Sequence, residues 1–410
     1  MNILLVSFLK PDAPSGVRVH YLQLARQLRR RGHRVDVVTP GTLTGGRRHF
    51  IAALRHLLLR LGPGPRALAG SVAYFLHILG GIDRGQAYDV VNAQDLGSGV
   101  AARWALGPGI PVVVTGHFND HPATDHLRQK PNLVGAAARA VRWWYAGLLA
   151  RTRYFIGVSA FGLRLIRRAL PAGAVSCVVL NGLDLEALRA QTTPADLRAR
   201  FPNRQIILNI GQLEGRKNQL LLVEAAHELR KVWPGFMVGL VGKGEDEMLL
   251  RQRIADYQLH DHVVLLGYHD EVLPLLRGAD LYVHVAIHET FGLVLLEAAA
   301  AGVPALALAV GGVPEVLHAT PEALLPAAID APALAHRLHQ WLSAPERLRN
   351  LAERQAASAT AHFGVARLVD ETLDFYRYAI RHHRLPQSPA EKPRPVRRPR
   401  PVPAASSANF

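Results

Sequence analysis

AIHETFGLVLLEA occupies residues 286–298 and places two carboxylates, Glu289 and Glu297, eight residues apart. The run before it, residues 279–285, has the composition of a buried strand, and residues 293–301 have the composition and length of a helix. A strand, a short glycine-containing loop and a helix direct backbone N–H groups and a positive helix end toward an anion. The pattern predicts Glu289 in the loop and Glu297 one to two turns into the helix. Taken alone, Glu297 is expected on a solvated helix face, because an unpaired carboxylate is costly to bury.

The length and composition of the chain predict a folded two-domain protein. A single core rarely extends beyond about 250–300 residues, and this chain has 410. Cys177 is the only cysteine, which excludes an internal disulfide and fits a reducing compartment, and its strand-like surroundings favour a packed core thiol over a nucleophile. The amino terminus opens directly into an apolar strand without a basic segment, which argues against export. The longest uncharged apolar segment, residues 67–82, has 16 residues, fewer than the roughly 20 needed to span a bilayer.

Positive charge is concentrated in the first half of the chain. Residues 1–185 carry 23 Lys/Arg against 8 Asp/Glu, a net charge of +15, whereas residues 186–384 carry 20 against 23, a net charge of −3. The last segment, residues 385–410, carries 5 against 1, a net charge of +4. This distribution suggests that the first half meets an anionic surface or partner. The alternative is a generally arginine-rich proteome, in which a basic surface carries little meaning.

Residues 44–82 combine basic and apolar side chains in a helical pattern. Apolar positions 50, 51, 54, 57, 58 and 61 fit a 3.6-residue period, and Arg48, Arg55 and His56 lie off that stripe. Such a segment is typical of a peripheral membrane element. An equally acceptable interpretation is two helices packed on a sheet, with arginine stems lying along the apolar surface. Residues 385–410 contain seven prolines and are expected to be extended and disordered, either as a tether to an anionic surface or without a role.

Strand, loop and helix alternate along both halves, which predicts two parallel α/β sheets. A polar region over residues 183–204, broken by prolines, marks the expected domain boundary. The expected strands are residues 2–8, 35–39, 89–93, 111–115, 154–159 and 178–182 in the first half, and 205–210, 237–241, 263–267, 279–285 and 304–308 in the second.

Glycine loops follow several strands of the second half. Gly211 and Gly242 come directly after two of them, and the first of these loops also carries Arg216 and Lys217. Because parallel strands end at one edge, these loops are expected to face the helix that starts near Gly292, as a pyrophosphate cradle. A charged loop taken alone more often lies idle in solvent. The dinucleotide fingerprint GxGxxG is absent, which disfavours an oxidoreductase, and nothing but charge suggests nucleic-acid binding.

His117 follows a strand of the first half directly. The carboxyl ends of such strands are where α/β sheets place ligand contacts. A loop histidine is a bystander more often than a ligand, so His117 is only a candidate on its own.

The chain resembles a GT-B glycosyltransferase of family 4, the retaining type (glycosyl transferases group 1). The resemblance is carried by the following stretches in order: Ser15-Gly16, residues 32–35, His117, Val158-Ser159, residues 181–184, residues 211–218, residues 242–244, residues 289–297 and residues 311–315. It implies two Rossmann-like parallel-sheet domains facing across a cleft. Residues 1–185, completed by a helix at about 363–381, would hold the acceptor, and residues 186–360 would hold the nucleotide sugar.

The resemblance also implies a role for each candidate residue. Glu297 would accept hydrogen bonds from ribose hydroxyls, Glu289 would face the hydroxyls of the donor sugar, and His117 would lie beside that sugar. Lys217 would neutralise the diphosphate and, with Glu289 and His117, form the catalytic set. The remaining donor-binding candidates are Gly16, Gly211, Arg216, Gly242, Thr290, Phe291, Gly292 and Leu293. The family commonly has Arg where Gln212 stands, so either Arg216 replaces it or the site works with one cation.

The expected activity is transfer of a hexose from a nucleoside-diphosphate sugar to a saccharide or lipid-linked acceptor in cell-envelope or exopolysaccharide synthesis. Neither a metal nor another cofactor is expected, since no Asp-x-Asp motif is evident and the nucleotide sugar is a substrate. The expected location is cytoplasmic, peripheral on the inner face of the membrane through residues 44–82 and the tail. Two alternatives remain open: a nucleotide-sugar epimerase of the same fold, and a non-catalytic nucleotide-sugar or membrane-binding module.

Overall fold

The computed structural model describes residues 1–9, 15–191 and 197–383, so the predicted tail at residues 385–410 lies outside the described residues. The chain divides into two compact units. One contains Met1–Asn181 and the described residues from Val365 onward, and the other contains Gly182–Gly364. Each unit has its own six-stranded parallel sheet flanked by helices, which confirms the predicted α/β fold of two Rossmann-like domains.

The sheet of the N-terminal unit has the strand order β2-β1-β3-β4-β5-β6, and all of its neighbouring strands are parallel. Its central strands are continuous apolar runs with both faces covered, as parallel sheets require. The side chains of Ile3, Leu4 and Leu5 are completely buried as a result. The strands are β1 (Asn2–Val6), β2 (Arg34–Val38), β3 (Val90–Ala93), β4 (Val112–Gly116), β5 (Tyr154–Gly157) and β6 (Val175–Val178).

The helices of the N-terminal unit connect these strands. Ser15 caps the first helix, because its Oγ accepts a hydrogen bond from the Val17 backbone N–H at 3.2 Å. Leu24 and Leu28 turn the apolar face of that helix onto the sheet. The helices are α1 (Gly16–Arg30), α2 (Gly46–Arg60), α3 (Pro63–Gly81), α4 (Leu96–Leu106), α5 (Pro122–Arg128), α6 (Gly135–Leu149) and α7 (Ala160–Ile166).

Residues 44–82 fold as the two helices α2 and α3. Helix α3 buries Phe75 and Ile78 in the core of its unit. Helix α2 buries only Ile51 and leaves Phe50 and Leu57 exposed, at 68% and 55% of their surface. Across the ranges that the structure describes, no helix is long and apolar enough to cross a membrane.

The sheet of the C-terminal unit has the order β12-β11-β10-β7-β8-β9, and its neighbouring strands are again parallel. Strand β10 therefore lies next to both β7 and β11, and the loops after these three strands meet at one edge. The strands are β7 (Gln205–Ile210), β8 (Phe236–Val241), β9 (Val263–Gly267), β10 (Leu281–His284), β11 (Ala305–Leu308) and β12 (Leu324–Leu325).

The helices of the C-terminal unit pack on both faces of this sheet. A short 3-10 turn, Gly215–Lys217, precedes the first long helix, and Asn218 between them has a left-handed backbone with φ of 54°. The helices are α8 (Leu185–Arg189), α9 (Leu197–Arg200), α10 (Gln219–Leu229), α11 (Glu247–Asp256), α12 (Leu273–Arg277), α13 (Leu293–Ala301), α14 (Val313–Val316), α15 (Ala331–Leu342) and α16 (Pro345–His362).

The last described helix, α17 (Val365–His383), belongs to the N-terminal unit. Its side chains Leu368, Leu373 and Tyr376 are buried in one core cluster with residues of β1 and α1. The guanidinium of Arg367 donates to the backbone oxygen of Leu180 at 2.6 Å. The helix therefore completes the core of the unit that begins at the other end of the chain.

Candidate functional site

The carboxyl edge of the C-terminal sheet is built from loops that bond to one another. The backbone N–H of Ile287 donates to the Arg216 oxygen at 2.9 Å, which joins the loop after β10 to the loop after β7. The N–H of Gly312 donates to the Glu289 oxygen at 3.0 Å, which joins the same loop to the one after β11. These bonds fix the backbone around Glu289 from two sides.

Two glycines let the first loops of this edge approach each other. Gly242 has a φ of 148°, and a Cβ there would lie 1.9 Å from the backbone oxygen of Gly211. A Cβ on Gly211 would lie 3.5 Å from the Cδ of Lys217, so the lysine stem runs along the Gly211 backbone. Only glycine fits position 242, because any side chain would collide with backbone.

Lys217 and Glu289 form a buried ion pair. The Lys217 Nζ lies 2.6 Å from Glu289 Oε2, and each side chain is only 13% exposed. Burial alone would raise the pKa of Glu289, but the Lys217 ammonium and a hydrogen bond from His284 outweigh it and hold that pKa well below its usual range. The carboxylate is therefore ionised at neutral pH and fixed in position through Oε2.

His284 hydrogen-bonds to the same carboxylate oxygen, Oε2 of Glu289. It is buried at the end of β10, and its Nε2 lies 3.2 Å from Glu289 Oε2. Its Nδ1 lies 2.9 Å from the hydroxyl of Tyr282. Since an ionised carboxylate only accepts, Nε2 carries the proton and Nδ1 accepts from the tyrosine. Burial lowers the pKa of His284, so the imidazole is a neutral donor.

Neither His284 nor Tyr282 was predicted from the sequence to have a role. A signal was present, because residues two apart on a strand point to the same face. Tyr282 and His284 occupy such positions immediately before the Glu289 loop. A histidine and a tyrosine sharing a buried strand face indicate a hydrogen-bonded pair, since buried polar groups need partners.

Helix α13 begins where the sequence predicts and presents its amino end at this edge. Gly292 precedes its first residue, Leu293, with a φ of 92°, a backbone conformation that other residues rarely adopt. Thr290 and Phe291 are buried, and the Phe291 ring packs edge-on against Phe363 with centroids 5.8 Å apart. The free N–H groups of a helix's first turn and its dipole favour an anion at such an end.

Glu297 lies within α13 and is half-buried, so the solvated face expected for it in isolation is wrong. Burial raises its pKa to about 7. It makes no hydrogen bond or ion pair with any residue that the structure describes. A carboxyl group in this state is suited to accept hydrogen bonds from hydroxyl groups of a ligand.

Arg216 is already paired within its own loop. Its Nε lies 2.6 Å from Glu214 Oε1, and both side chains are about one-third exposed or less. Gln212, where the resemblance leads one to expect Arg, is exposed. Of the two alternatives left by the sequence, this arrangement favours the single cation Lys217.

The N-terminal unit carries the remaining candidates. Gly16 is exposed at the start of α1. His117 follows β4, and its Nε2 lies 3.0 Å from the Oε1 of Gln94. Burial lowers the pKa of His117 well below its ordinary value, and the neighbouring His20, whose ring centroid lies 4.9 Å away, lowers it further. His117 is therefore neutral.

A chain of buried amides orients His117. Asn92 Nδ2 donates to Thr115 Oγ1 at 2.8 Å, so Asn92 Oδ1 accepts from Gln94 Nε2 at 2.5 Å. Gln94 Oε1 then accepts from His117 Nε2, which carries the proton. His20 contributes a parallel link, with its Nδ1 2.9 Å from Asn181 Oδ1. Gln94, Asn92 and His20 were not predicted as site residues. The contacts from Gln94 to His117 and from His20 to Asn181 join residues 23 and 161 positions apart, which leaves no local signal in the sequence.

The structure thus brings the C-terminal candidates together and places Gly16 and His117 in the other unit. No group of three His, Cys, Asp or Glu side chains within the described ranges is arranged to hold a metal ion. What the C-terminal edge offers chemically is one fixed carboxylate, one ammonium, one helix amino end and one carboxyl group that titrates near neutrality.

Two known families match the chain, one in each half. Residues 14–187 match Glycosyltransferase Family 4, and residues 197–358 match Glycosyl transferases group 1. The phosphatidyl-myo-inositol mannosyltransferase of Mycolicibacterium smegmatis is 30% identical over 319 residues, covering 72% of this chain and 73% of the relative. The chain belongs to the family 4, group 1 glycosyltransferases. The expected resemblance to GT-B glycosyltransferases of family 4 and group 1 is confirmed, and glycosyl transfer is the class of activity.

Other relatives extend this likeness. The D-inositol 3-phosphate glycosyltransferase of Mycobacteroides abscessus is 29% identical over 408 residues, covering 92% of this chain and 87% of the relative. Among solved structures, the sucrose-phosphate synthase of Thermosynechococcus elongatus superposes with a TM-score of 0.69 at 21% identity, over 93% of this chain and 100% of that one. Anabaena HepE, solved with UDP-glucose, superposes with a TM-score of 0.66 at 18% identity, over 92% and 99%. These structures support the GT-B fold.

Proposed function

We propose that this family 4 glycosyltransferase transfers a hexose from a nucleoside-diphosphate sugar to a saccharide or lipid-linked acceptor, with retention of anomeric configuration. The proposed setting is cell-envelope or exopolysaccharide synthesis at the cytoplasmic face of a membrane. The observation that carries the proposal is the buried Lys217–Glu289–His284 cluster beside the amino end of α13. A fixed cation and a helix amino end are the features that a departing diphosphate needs.

Departure of the nucleoside diphosphate leaves a developing dianion, so electrostatic stabilisation is the main requirement. Lys217 and the first N–H groups of α13 supply it in this proposal. With the diphosphate bound, Lys217 bridges it to the Glu289 carboxylate and remains paired on both sides. No metal or other cofactor is assigned to this step, and transfer is expected to continue when a chelator is present.

The two carboxylates have separate tasks because their environments differ. Glu289 is ionised, with Oε2 held by Lys217 and His284, so its other oxygen is oriented to accept from hydroxyls of the donor sugar. Glu297, whose pKa is raised to about 7, would accept from ribose hydroxyls. Hydrogen bonds donated to a carboxylate favour its ionised form, so donor binding should lower the pKa of Glu297.

In the N-terminal unit, His117 would contact the transferred sugar as a neutral imidazole, and Gly16 would let the first loop approach the phosphates. Retention would require attack from the face that the diphosphate leaves, with a phosphate oxygen taking the proton of the acceptor hydroxyl. The bond from the anomeric carbon to the diphosphate breaks as the bond to the acceptor oxygen forms. This route assigns the base to the leaving group itself.

The relatives support the choice of substrate classes. Anabaena HepE was solved with UDP-glucose, and the Mycobacteroides and Mycolicibacterium relatives are named for an inositol phosphate and a phosphatidylinositol. Helix α2 exposes Phe50 and Leu57 together with arginines, which suits the interface of an anionic membrane. Flotation with anionic liposomes at low salt should carry the protein upward, and absence of binding under those conditions would remove the membrane from the proposal.

Product analysis with nucleotide sugars tests the catalytic proposal. Incubation with the correct donor and acceptor should give nucleoside diphosphate and a glycosylated product, and Glu289→Ala should abolish both. Glu346→Ala, at a side chain that is 81% exposed, is the matched control and should behave as wild type. A free sugar or an epimer formed without acceptor would favour the epimerase, and donor binding without turnover would favour the non-catalytic module.

A further inference from the structure

The N-terminal unit contains a groove of about 920 Å³ between the start of α2 and the end of α3. Its walls are lined by the apolar side chains Leu43, Phe50, Ile51, Leu76, Leu79 and Ile82. Four glycines complete the lining: Gly46, Gly80, Gly81 and Gly85. This volume lies in the range of small-molecule sites in proteins, roughly 300–1,000 Å³.

Charged residues line the groove together with the apolar ones. Among the residues that the structure describes, the charged ones are Arg47, Asp83 and Arg84, and all three are exposed. Neither arginine makes an ion pair with a residue in the described part of the chain. The other described lining residues offer no charged or amide side chain to a ligand. Two arginines against one carboxylate give the lining a net positive charge, so a matching ligand is largely apolar and carries an anionic group.

The groove lies at the sheet edge that also carries His117. A Cβ on Gly81 would lie 3.3 Å from the Cγ1 of Val38, the last residue of β2. Since all strands of this sheet are parallel, the ends of β2 and β4 share one edge. With two strands between them, these ends are three strand spacings apart, or about 14 Å. The part of the groove at Gly81 therefore lies near the end of β2, about 14 Å from the end of β4, which His117 follows.

We propose that this groove binds the hydrocarbon chain of an anionic lipid acceptor, with the lipid phosphate at Arg47 and Arg84. The proposal rests on the lipid-linked acceptor of the proposed function and gives it a binding site. The basic segment at residues 385–410 is a poor occupant of the groove. It carries five Lys/Arg against one Asp/Glu, so the two arginines of the groove would repel it. A membrane lipid with a phosphate headgroup matches both the apolar walls and the two arginines.

Binding of alkyl phosphates below their micelle concentration tests the site without any transfer reaction. Octyl, decyl and dodecyl phosphate should bind with affinities that rise about fourfold per added methylene, the increment expected when each CH₂ leaves water. Alcohols of the same length should bind at least tenfold more weakly than the phosphates, and Arg47→Ala/Arg84→Ala should remove this difference. Affinity that is independent of chain length would overturn the proposal.

A glycine substitution supplies the decisive variant. Gly46 lines the groove, and a Cβ there has no neighbour within 4 Å, so Gly46→Trp should fill the space without disturbing the fold. Gly62 is exposed at the start of α3, also has no neighbour within 4 Å and does not line the groove, so Gly62→Trp is the matched control. Gly46→Trp should weaken dodecyl phosphate binding at least tenfold, and Gly62→Trp should leave it unchanged.

Donor binding separates this inference from the proposed function. Both tryptophan variants should still bind nucleoside diphosphate, because Lys217, Glu297 and the amino end of α13, which are proposed to hold the diphosphate and the ribose, lie in the other unit. Wild-type alkyl phosphate affinity in Gly46→Trp would remove the groove as the site while leaving the glycosyltransferase proposal intact. Chain-dependent binding by a protein that binds no nucleoside diphosphate would support the groove and contradict the proposed donor site.

Discussion

The two units present opposite electrostatics at their strand ends and on their surfaces. The N-terminal unit, residues 1–181 and 365–383, has a net charge of +16, yet the side chains that orient His117 form a neutral chain of amides. The C-terminal unit, residues 182–364, has a net charge of −5, yet its edge holds the ammonium of Lys217 beside a helix amino end. The net charge of a unit therefore does not predict the charge at its ligand site. It bears on contacts made by the surface, whereas the side chains at the strand ends determine which ligand is bound.

The candidate site residues of the two units are held in position by different kinds of interaction. In the C-terminal unit an ion pair and a neutral histidine fix one carboxylate oxygen, which suits a ligand that carries charge. In the N-terminal unit a hydrogen-bonded chain fixes the tautomer of His117, which suits a ligand that offers hydroxyls. Substitutions that remove or add charge should consequently change activity strongly at the strand ends of the C-terminal unit and weakly at those of the N-terminal unit.

The largest expected effect follows removal of the charge on Lys217. Lys217→Ala should lower turnover about 100-fold, because the developing charge on the diphosphate loses the cation that is proposed to stabilise it. The measurement is kcat under saturating donor, with circular dichroism to show that the variant is folded. Lys231→Ala is the control, since Lys231 is 53% exposed in an ion pair with Glu228 and should behave as wild type. Turnover near the wild-type value in Lys217→Ala would contradict the role of Lys217 as the cation that stabilises the diphosphate.

The next effect is a pH dependence of the unfolding free energy that arises from Glu297. Its folded pKa is about 7, raised from an ordinary value of 4.5, so between these values the folded state binds more protons than the unfolded state. Stability from this group is full below pH 4.5 and falls as pH rises toward and through 7. Relative to Glu297→Gln, the wild type should lose about 2 kcal/mol of unfolding free energy between pH 5 and pH 7.

Denaturant unfolding of both proteins at a series of pH values checks this prediction. Saturating nucleoside diphosphate sugar should reduce the pH dependence, because ribose hydroxyls stabilise the ionised carboxylate. Parallel pH profiles for the wild type and Glu297→Gln would show that Glu297 is solvated and would remove it from the site.

A smaller effect is expected at His284, which positions Glu289. His284→Leu removes a hydrogen bond to a charged group and should lower kcat about tenfold, equivalent to roughly 1.5 kcal/mol. His284→Gln should retain most activity, because its amide can donate from nearly the same place as Nε2. The dependence of kcat on pH should shift in His284→Leu alone. Equal loss in both variants, with no shift, would indicate a packing role.

The smallest effect is expected at Arg216. Its pairing with Glu214 predicts that Arg216→Ala lowers turnover only severalfold. A loss as large as that of Lys217→Ala would show that Arg216 leaves Glu214 and replaces the arginine that the family commonly has at position 212. The inference that Lys217 is the single cation at this edge would then be wrong.

Sequence patterns predicted the local parts of this site well. The strand before Glu289, the glycine at the start of α13 and the position of Glu297 in that helix all follow from composition and period over about twenty residues. The alternation of strands and helices also predicted both parallel sheets. These features depend on neighbours along the chain, which sequence periodicity reports directly.

The pairings that define the site depend on distance in space. Lys217 and Glu289 are 72 residues apart, so their ion pair could be expected from shared strand ends but its geometry could not. The same holds for Gln94 and His117, which meet because β3 and β4 are neighbours. Helix α6 was not expected, because its apolar and basic residues give no clean boundary signal.

Thermal unfolding with nucleoside diphosphates tests the central claim most directly, since a ligand that binds only the folded state raises Tm. A panel of nucleoside diphosphates and their sugars should contain at least one that raises the Tm of the wild type. The same ligand should leave the Tm of Lys217→Ala unchanged but still raise that of His117→Ala, because His117 is proposed to contact the sugar and not the diphosphate. An equal shift in wild type and Lys217→Ala, or no shift with any member of the panel, would contradict the account.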